Sequence, residues 1–392
     1  MRTAQGQNSA QDSAEGGAGG GFGQEPPGRL RRAAVLGHPI GHSLSPVLHT
    51  AAYQALGLAG KPAGPGPDHC GLYSPGPKSP GSDSGSLDSS SLGSDKLAKP
   101  WQPRLSEAVW QYTALDVTAE ALPGFIASLD SSWAGLSLTM PLKLSIAPLL
   151  DSMTDMAQAT GAVNTVLVDA TGPQGRLLLT GDNTDVYGIV MALTQAGAGQ
   201  ASAAAGQSTV SPACLALPAS AHSTASVLPT ASAPLTACVL GAGATAASAV
   251  AALHSLGCLT PTVCARNLNK LDVVQALAAH PSMAGLEPAF VDLSQALDYV
   301  ITADAVVSTM PAHAADQLAQ HMRQAQVRPY GVLLDVVYHP RPTALQQAWT
   351  DLGGQAVGGE QMLLHQAAQQ VCLMTGRQAP LAAMEAALTA AL

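Results

Sequence analysis

Brief apolar runs alternate along the chain with longer stretches in which apolar positions recur at helical spacing. The brief runs predict β-strands over residues 33–36, 111–117, 135–139, 163–168, 177–180, 237–240, 262–265, 305–308 and 332–336. The helical spacing predicts helices over residues 46–58, 151–160 and 246–256, and from residue 361 to the C-terminus. The strands at 163–168 and 177–180 are joined by a Gly-Pro turn and are predicted to pair with each other. Strands that alternate with helices are typical of parallel α/β sheets, so we predict an α/β protein.

Three stretches interrupt this alternation. Residues 1–30, 60–106 and 196–232 are rich in Gly, Pro, Ser or Ala. Sequences of this kind bury too little apolar surface to offset the conformational entropy of the chain. We predict a disordered tail and two low-complexity inserts, although the Ala-rich third stretch is also compatible with a helix.

Composition narrows the classes of function. The chain has 392 residues, of which 47% are hydrophobic, enough for a buried core in two or three domains. A formal net charge of −9 and the lack of a long Lys/Arg run argue against a nucleic-acid partner. No apolar run reaches about 18 residues and the N-terminus has no signal-peptide core, so no membrane partner is expected. Six cysteines without a Cys-x-x-Cys pair predict free thiols in the reducing cytoplasm and no metal site.

A glycine-rich turn follows the predicted strand at 237–240. Gly241, Ala242, Gly243 and Ala244 connect that strand to an Ala-rich helix, which is the context of a dinucleotide-binding turn. The first glycine allows the tight turn, and the second lets a pyrophosphate approach the backbone at the positive end of the helix. The alternative is a tight turn between strand and helix that binds no ligand.

The next predicted strand ends in a basic segment. Where an enzyme selective for NAD usually carries an acid, the chain has Arg266 and Asn267, with Lys270 close behind. Two cations suit the 2′-phosphate of NADP, and we therefore predict NADP as the cofactor. The alternative is an ordinary basic helix start, which would oppose the helix dipole.

Polar side chains follow three other predicted strands. Ser43 and Ser45 lie beside the start of the helix at 46–58, where hydroxyls and backbone N–H groups can hold a small carboxylate. Lys143 and Asp185 each follow a strand, and together they could hold a proton for a reacting oxygen. The alternatives are that Ser45 only caps the helix and Ser43 is solvated, that Lys143 is a surface lysine, and that Asp185 is a helix cap.

Six segments, in order, resemble the shikimate dehydrogenase family. They are HSLSP at 42–46, TMPLK at 139–143, AVNT at 162–165, GDNTD at 181–185, ARN at 265–267 and QMLLHQA at 361–367. The resemblance covers nearly all of residues 32–194 and 235–387 outside the low-complexity inserts. It implies an α/β fold with an N-terminal substrate-binding domain at 31–185, a Rossmann-like NADP-binding domain with a parallel sheet at 186–359, and C-terminal helices at 360–392 that return to the first domain.

The resemblance also implies roles for matching positions. Lys143 and Asp185 would be the catalytic pair, and Ser43 and Ser45 would hold the substrate carboxylate. The remaining substrate-binding positions would be Thr139, Asn164, Gln366 and, near the carboxylate, Tyr338. Positions that border the nicotinamide and its ribose would be Met310, Val336 and Gly359.

The implied reaction is the reversible, NADPH-dependent reduction of 3-dehydroshikimate to shikimate in aromatic amino-acid biosynthesis. We expect a cytoplasmic enzyme that is a monomer or a homodimer, with small-molecule partners only. One alternative is a dehydrogenase of the same family that acts on quinate with NAD, or on an amino analogue of shikimate. Another is a non-catalytic shikimate sensor, which would be expected to have lost Lys143 or Asp185. A fusion to dehydroquinase is not expected, because the 30 residues before the first strand are too few for that domain.

Four positions depart from the family pattern. Ser137 stands where many members have Asn, which is expected to weaken one substrate contact, and Val186 follows Asp185 where Gly is usual. Glu360 replaces an apolar residue and is expected to alter nicotinamide affinity. The turn at 244–247 lacks the usual Ser-Arg pair, which would leave Arg266 and Lys270 to carry more of the phosphate binding.

Overall fold

The computed structural model of the protein describes residues 30–59, 108–198 and 235–392. The predicted tail at 1–30 and the predicted inserts at 60–106 and 196–232 lie outside the described residues, apart from residues 30 and 196–198. The described part forms two six-stranded sheets.

The first sheet is mixed. Its strands, in the spatial order β2-β1-β3-β5-β6-β4, are β1 (Arg31–Gly37), β2 (Trp110–Asp116), β3 (Trp133–Leu138), β4 (Ser152–Met153), β5 (Thr165–Asp169) and β6 (Leu178–Asp182). β5 is antiparallel to both β3 and β6, so the prediction of parallel sheets is wrong for this part of the chain. The cause is local, because the short connection between β5 and β6 can join antiparallel neighbours only.

The second sheet is entirely parallel, as predicted. Its strands, in the spatial order β12-β11-β10-β7-β8-β9, are β7 (Ala237–Leu240), β8 (Thr262–Ala265), β9 (Ala289–Asp292), β10 (Ala305–Ser308), β11 (Val332–Asp335) and β12 (Gln355–Gly358). Every residue of β7, β10 and β11 is buried, as expected for strands covered on both faces. The order reverses between β7 and β10, and ligands bind at such a reversal in open α/β sheets.

Eleven α-helices cover these sheets within the described residues. They are α1 (Ser45–Ala55), α2 (Leu122–Ala127), α3 (Asp155–Thr160), α4 (Thr184–Gln195), α5 (Ala244–Ser255), α6 (Asp272–Ala278), α7 (Ala296–Val300), α8 (Asp316–Ala325), α9 (Ala344–Asp351), α10 (Gly359–Thr375) and α11 (Leu381–Ala391). α10 and α11 bury apolar residues in one core with α1 and β1. α4 and the start of α10 also contribute to the core that contains α5, so these two helices connect the two sheets.

Several predicted boundaries differ from the structure. α1 begins at Ser45 with Leu44 as its N-cap, so Ser45 is not the cap; the Ser43 hydroxyl accepts a hydrogen bond from the Ser45 backbone N–H at 3.4 Å. α3 begins at Asp155 rather than residue 151, because the Thr154 side chain caps it and the preceding residues form β4. β4, β9 and β12 were not predicted, and each has four residues or fewer, so they leave little pattern in the sequence. The helices α4, α8 and α9, with 12, 10 and 8 residues, were also not predicted.

His49 of α1 is fully buried beneath the first sheet. Its ring stacks on Tyr112 with 3.8 Å between ring centroids and 11° between planes. Burial lowers the pKa of His49 from 6.5 to about 3, against the opposing effect of a hydrogen bond with Gln370. The imidazole is therefore neutral in the folded protein at neutral pH.

This burial makes stability depend on pH. Because the folded-state pKa is below the unfolded value, the contribution of His49 is complete above pH 6.5 and is lost as the pH falls toward about 3. In the wild type, His49 should lower the free energy of unfolding by about 1.4 kcal/mol for each pH unit below 6.5. We expect this decrease to be absent in His49→Phe, which retains an aromatic ring for the stack. Urea unfolding of both proteins at pH 7 and pH 5 measures this difference. Equal losses in the two proteins would show that His49 does not bind the proton.

Candidate active site

A cleft of about 880 Å³ separates the two sheets, and every site residue predicted from the sequence lines it. Those contributed by the first sheet and its connections are Ser43, Ser45, Thr139, Lys143, Asn164 and Asp185. Those contributed by the second sheet and its loops are Gly241, Ala242, Gly243, Ala244, Arg266, Asn267, Lys270, Met310, Val336 and Tyr338. α10 adds Gly359 and Gln366. A smaller cavity of about 410 Å³, beside Arg328 and Tyr330, contains none of them.

Lys143 and Asp185 form an ion pair on the first-sheet side of the cleft. Lys143 lies in a single 3₁₀ turn after β3, and Asp185 is the second residue of α4. The Lys143 ammonium donates to Asp185 Oδ2, and their side chains are 16% and 6% exposed. The N-cap of α4 is Asn183, which accepts from the Asp185 backbone N–H, so Asp185 is not the cap. Its carboxylate is thereby free to hold the lysine.

Asn164 holds the other oxygen of this carboxylate. Its Nδ2 donates to Asp185 Oδ1 at 2.8 Å and to Gln366 Oε1 at 3.2 Å. The Thr184 backbone N–H donates to Asn164 Oδ1 at 2.8 Å, which fixes the orientation of the amide because a backbone N–H cannot accept. Both Asp185 oxygens are thus engaged, and the pair has one preferred geometry.

Hydroxyl groups line the same cleft as this pair. Ser45 is buried at the start of α1, whereas Ser43 is half-buried in the loop before it. Thr139 continues β3, and its backbone N–H donates to the Leu36 carbonyl at 2.9 Å. Tyr338 contributes a phenol from the opposite side, and burial raises its pKa. These groups can donate hydrogen bonds to a small, hydroxylated, anionic ligand.

The glycine-rich turn has the geometry that a dinucleotide needs. Gly241 has φ +117°, and a Cβ there would overlap the Thr309 hydroxyl. Gly243 is the N-cap of α5, and a Cβ there would meet no protein atom within 4 Å, so its backbone is open to the cleft. Ala246 is fully buried where α5 meets the sheet. A pyrophosphate can therefore approach the first N–H groups of α5.

Arg266 and Lys270 are exposed at the same end of the cleft. The Lys270 backbone N–H donates to the Asn267 carbonyl at 3.1 Å, which folds this segment into a turn before α6. The two cations therefore precede α6 rather than begin it, and neither forms an ion pair with another described residue. Two unpaired cations beside a dinucleotide turn suit a phosphate on the adenosine ribose.

Position 359 requires a glycine because the backbone there lies close to the second sheet. A Cβ at this position would overlap the Val336 carbonyl, where α10 begins beside the end of β11. Its neighbour Glu360 does not line the cleft; Oε1 lies 3.3 Å from Arg341 Nη2, and Oε2 is buried without a hydrogen bond among the described residues. The expected effect of Glu360 on nicotinamide affinity stays a prediction.

Gln370 was not predicted, although it lines the same cleft. It lies four residues after Gln366, and helical periodicity places both on one face of α10. That four-residue spacing is the feature of the sequence from which Gln370 could have been predicted. Ser137 also lines the cleft and donates its hydroxyl to Gln370 Oε1 at 2.8 Å. Its expected weakening of a substrate contact stays a prediction.

No group of three or more His, Cys, Asp or Glu side chains could hold a metal ion within residues 30–59, 108–198 and 235–392. In the same ranges, no helix has the length and apolar character to cross a membrane. The described cysteines at 238, 258, 264 and 372 form no disulfide with one another. Cys70 and Cys214 lie outside the described residues.

Comparison with known proteins extends the likeness beyond this site. A family model described as the shikimate dehydrogenase substrate binding domain matches residues 104–166, and one described as the shikimate 5'-dehydrogenase C-terminal domain matches residues 359–389. A curated relative, shikimate dehydrogenase (NADP(+)) from Oleidesulfovibrio alaskensis, is 28% identical over 368 residues, which cover 91% of this chain and 94% of that protein.

Solved structures show the same likeness. Shikimate 5-dehydrogenase from Mycobacterium fortuitum is 34% identical with a TM-score of 0.61, and the match covers 93% of this chain and 99% of that one. Shikimate 5-dehydrogenase from Thermus thermophilus, solved in complex with NADP(H) and shikimate, is 26% identical with a TM-score of 0.59, covering 93% and 100% of the two chains. The similarity therefore spans both sheets.

Proposed function

The chain belongs to the shikimate dehydrogenase family, and from this premise we propose that it catalyses the reversible, NADPH-dependent reduction of 3-dehydroshikimate to shikimate. The observation that carries the proposal is the Lys143–Asp185 pair, which faces a dinucleotide turn across one cleft. A proton donor and a hydride-carrying cofactor are the two requirements for reducing a ketone to an alcohol. The product would serve the biosynthesis of aromatic amino acids.

The second sheet would hold NADP. The first N–H groups of α5 would bind the pyrophosphate, while Arg266, Asn267 and Lys270 would surround the 2′-phosphate. Met310, Val336 and Gly359 would border the nicotinamide end. When bound, the nicotinamide supplies or accepts the hydride, and the protein provides orientation, charge and exclusion of water.

The first sheet would hold the substrate. Ser43 and Ser45 would bind the carboxylate, with Tyr338 nearby, while Thr139, Asn164 and Gln366 would bind ring hydroxyls. These contacts would place the ring beside the Lys143–Asp185 pair. Their roles rest on the family pattern together with their common location in the cleft.

Lys143 would transfer the proton. During ketone reduction, its ammonium would donate a proton to the oxygen on which negative charge develops. Asp185 would hold and aim this ammonium, while Asn164 would prevent rotation of the carboxylate. In the reverse direction the neutral amine would accept the hydroxyl proton.

We also propose the organisation that goes with this function. Residues 31–185 would form the substrate-binding domain, residues 186–359 the NADP-binding domain, and residues 360–392 the helices that return to the first. The two sheets with their separate cores support this division. The enzyme would be cytoplasmic, acting as a monomer or a homodimer on small molecules.

The test is the change in NADPH absorbance after the purified protein is mixed with 3-dehydroshikimate, with NADH and 3-dehydroquinate as parallel controls. We expect oxidation of NADPH with 3-dehydroshikimate only. Turnover confined to NADH and 3-dehydroquinate would assign the chain to quinate dehydrogenation. Shikimate binding without turnover in any combination would favour a sensor and overturn the proposed reaction.

A further inference from the structure

Gln370 lies beneath the candidate substrate site, and its side-chain amide uses its full hydrogen-bonding capacity. The residue is 1% exposed. Its Oε1 accepts from Ser137 Oγ at 2.8 Å and from His49 Nε2 at 3.2 Å. Its Nε2 donates to Thr165 Oγ1 at 3.0 Å and to the Asn164 carbonyl at 3.3 Å. A buried amide with two donors and two acceptors satisfied has a single orientation.

This orientation fixes the neighbouring groups in turn. The Asn164 carbonyl can only accept, so the Gln370 nitrogen must face it and the Gln370 oxygen must face His49. His49 must then carry its proton on Nε2, because a carbonyl oxygen cannot donate. Its Nδ1 remains an acceptor and lies 3.4 Å from the Tyr53 hydroxyl. His49 is thus neutral with one defined tautomer.

From Gln370, hydrogen bonds run in one direction to the proposed proton donor. Gln370 Nε2 donates to Thr165 Oγ1, which donates to Asn164 Oδ1 at 2.8 Å. Asn164 Nδ2 then donates to Asp185 Oδ1, and the other oxygen of Asp185 holds Lys143. Each group in this series has its donor and acceptor roles set by the previous one.

A second branch leads to the proposed carboxylate site. Tyr112 donates its hydroxyl to Ser137 Oγ at 2.7 Å, and Ser137 donates onward to Gln370. The Tyr112 phenol also forms a side-chain hydrogen bond with Ser45. Gln370 is therefore the residue at which the carboxylate end and the proton-transfer end of the site are joined.

We propose that Gln370 is a positioning residue for this reaction, orienting Asn164 through Thr165 and Ser45 through Ser137 and Tyr112. It does not exchange a proton with the substrate. Its effect is to keep the Lys143–Asp185 pair and the carboxylate-binding hydroxyl in register across one substrate ring. The proposal rests on the proposed function, because the network would align the two ends of the shikimate ring.

The principal test replaces Gln370 by Ala and compares it with Gln369→Ala as a matched control. Gln369 is the preceding residue of α10 and does not line the cleft, so the control makes the same chemical change in the same helix. We expect Gln370→Ala to lower kcat for shikimate oxidation by about 10- to 100-fold, the size of effect produced by misplacing reacting groups by about 1 Å. The KM for NADP should change less than about twofold, and Gln369→Ala should match the wild type.

Two further variants separate positioning from support of the fold. Thr165→Val removes the hydroxyl between Gln370 and Asn164 but retains the branched shape, and we expect kcat to fall about tenfold. Ser137 lies directly opposite Thr165 in the β3–β5 pair, so an amide at position 137 can reach the Thr165 hydroxyl. Ser137→Asn should therefore restore at least about tenfold of the kcat lost in Gln370→Ala.

The outcomes are distinguishable. If the wild-type protein oxidises shikimate and Gln370→Ala retains kcat within about threefold, the positioning role is wrong while the proposed function stands. If the wild type turns over no shikimate, both fail. If Gln370→Ala does not fold, Thr165→Val decides, and wild-type kcat in that variant overturns the proposal. Gln370→Ala could also lower kcat and raise the KM for NADP by the same factor, with no recovery on adding Ser137→Asn. That result would indicate general distortion of the site and would overturn the positioning role as well.

Discussion

Replacement of Lys143 by Ala is expected to lower kcat by about 10²- to 10⁴-fold, the contribution typical of a positioned proton donor. The affinity for shikimate should change much less, because Ser43, Ser45 and Gln366 retain the contacts proposed for the carboxylate and ring. Single-turnover oxidation of NADPH measures the chemical step, and calorimetric titration with shikimate measures the dissociation constant. A large fall in rate with little change in binding would identify Lys143 as the proton donor.

The matched control for this prediction is Arg176→Ala. Arg176 is an exposed cation on the same part of the chain, and it pairs with Asp151 at 2.8 Å rather than with any residue of the cleft. Its loss removes one positive charge without altering the site, so activity should be unchanged. Near-normal turnover in Lys143→Ala would contradict the acid–base role and direct attention to another donor in the cleft.

The meeting of Lys143 and Asp185 was predictable only in part. Both were recognised because each follows a predicted strand, but the sequence does not say that the two strand ends lie together. β5 lies between β3 and β6 and is antiparallel to both, so β3 and β6 run in the same direction and end at the same edge. That order depends on the β5–β6 hairpin. The Gly-Pro turn between the predicted strands at 163–168 and 177–180 indicates that these strands pair, but it does not indicate that the pair lies beside β3.

The dinucleotide-binding residues were easier to predict from the sequence than the catalytic pair. Gly241 and Gly243 lie next to each other along the chain, and their function depends on local backbone geometry, a positive φ and an open N-terminus of α5. Local constraints of this kind leave a short motif in the sequence. The all-parallel second sheet followed from the same alternation of strands and helices.

Gln370 shows where prediction from sequence fails. Its partners His49 and Ser137 are separated from it by 321 and 233 residues, so no local pattern links them. The predicted effect of Ser137 on a substrate contact rests on a single position of the sequence. In the folded protein the Ser137 hydroxyl donates a hydrogen bond to the Gln370 amide of α10, so the role of Ser137 depends on Gln370.

Removal of both cations beside the dinucleotide turn, in the double variant Arg266→Ala/Lys270→Ala, is expected to lower kcat/KM for NADP by about 10²-fold. A hydrogen bond to a charged group contributes about 1.5–3 kcal/mol. Because both side chains are exposed and salt screens their charges, we take the lower end of this range, which corresponds to about a tenfold change in kcat/KM for each contact. NAD lacks the 2′-phosphate, and kcat/KM for NAD should change less than about threefold. Initial rates of shikimate oxidation with each cofactor measure the two values.

The ratio of the two specificity constants is the decisive quantity, because misfolding or loss of active enzyme lowers both equally. Arg323→Ala provides the control. Arg323 lies on α8, outside the cleft, with its Nη2 3.6 Å from Oδ2 of Asp351 on α9, and its loss should leave the ratio unchanged. Raising the salt concentration should weaken NADP binding in the wild type but not in the double variant, because the lost contacts are between exposed charges. An unchanged ratio in the double variant would mean that Arg266 and Lys270 do not bind the 2′-phosphate. NADP selectivity would then have to arise from another group proposed to lie near the 2′-phosphate, such as Asn267.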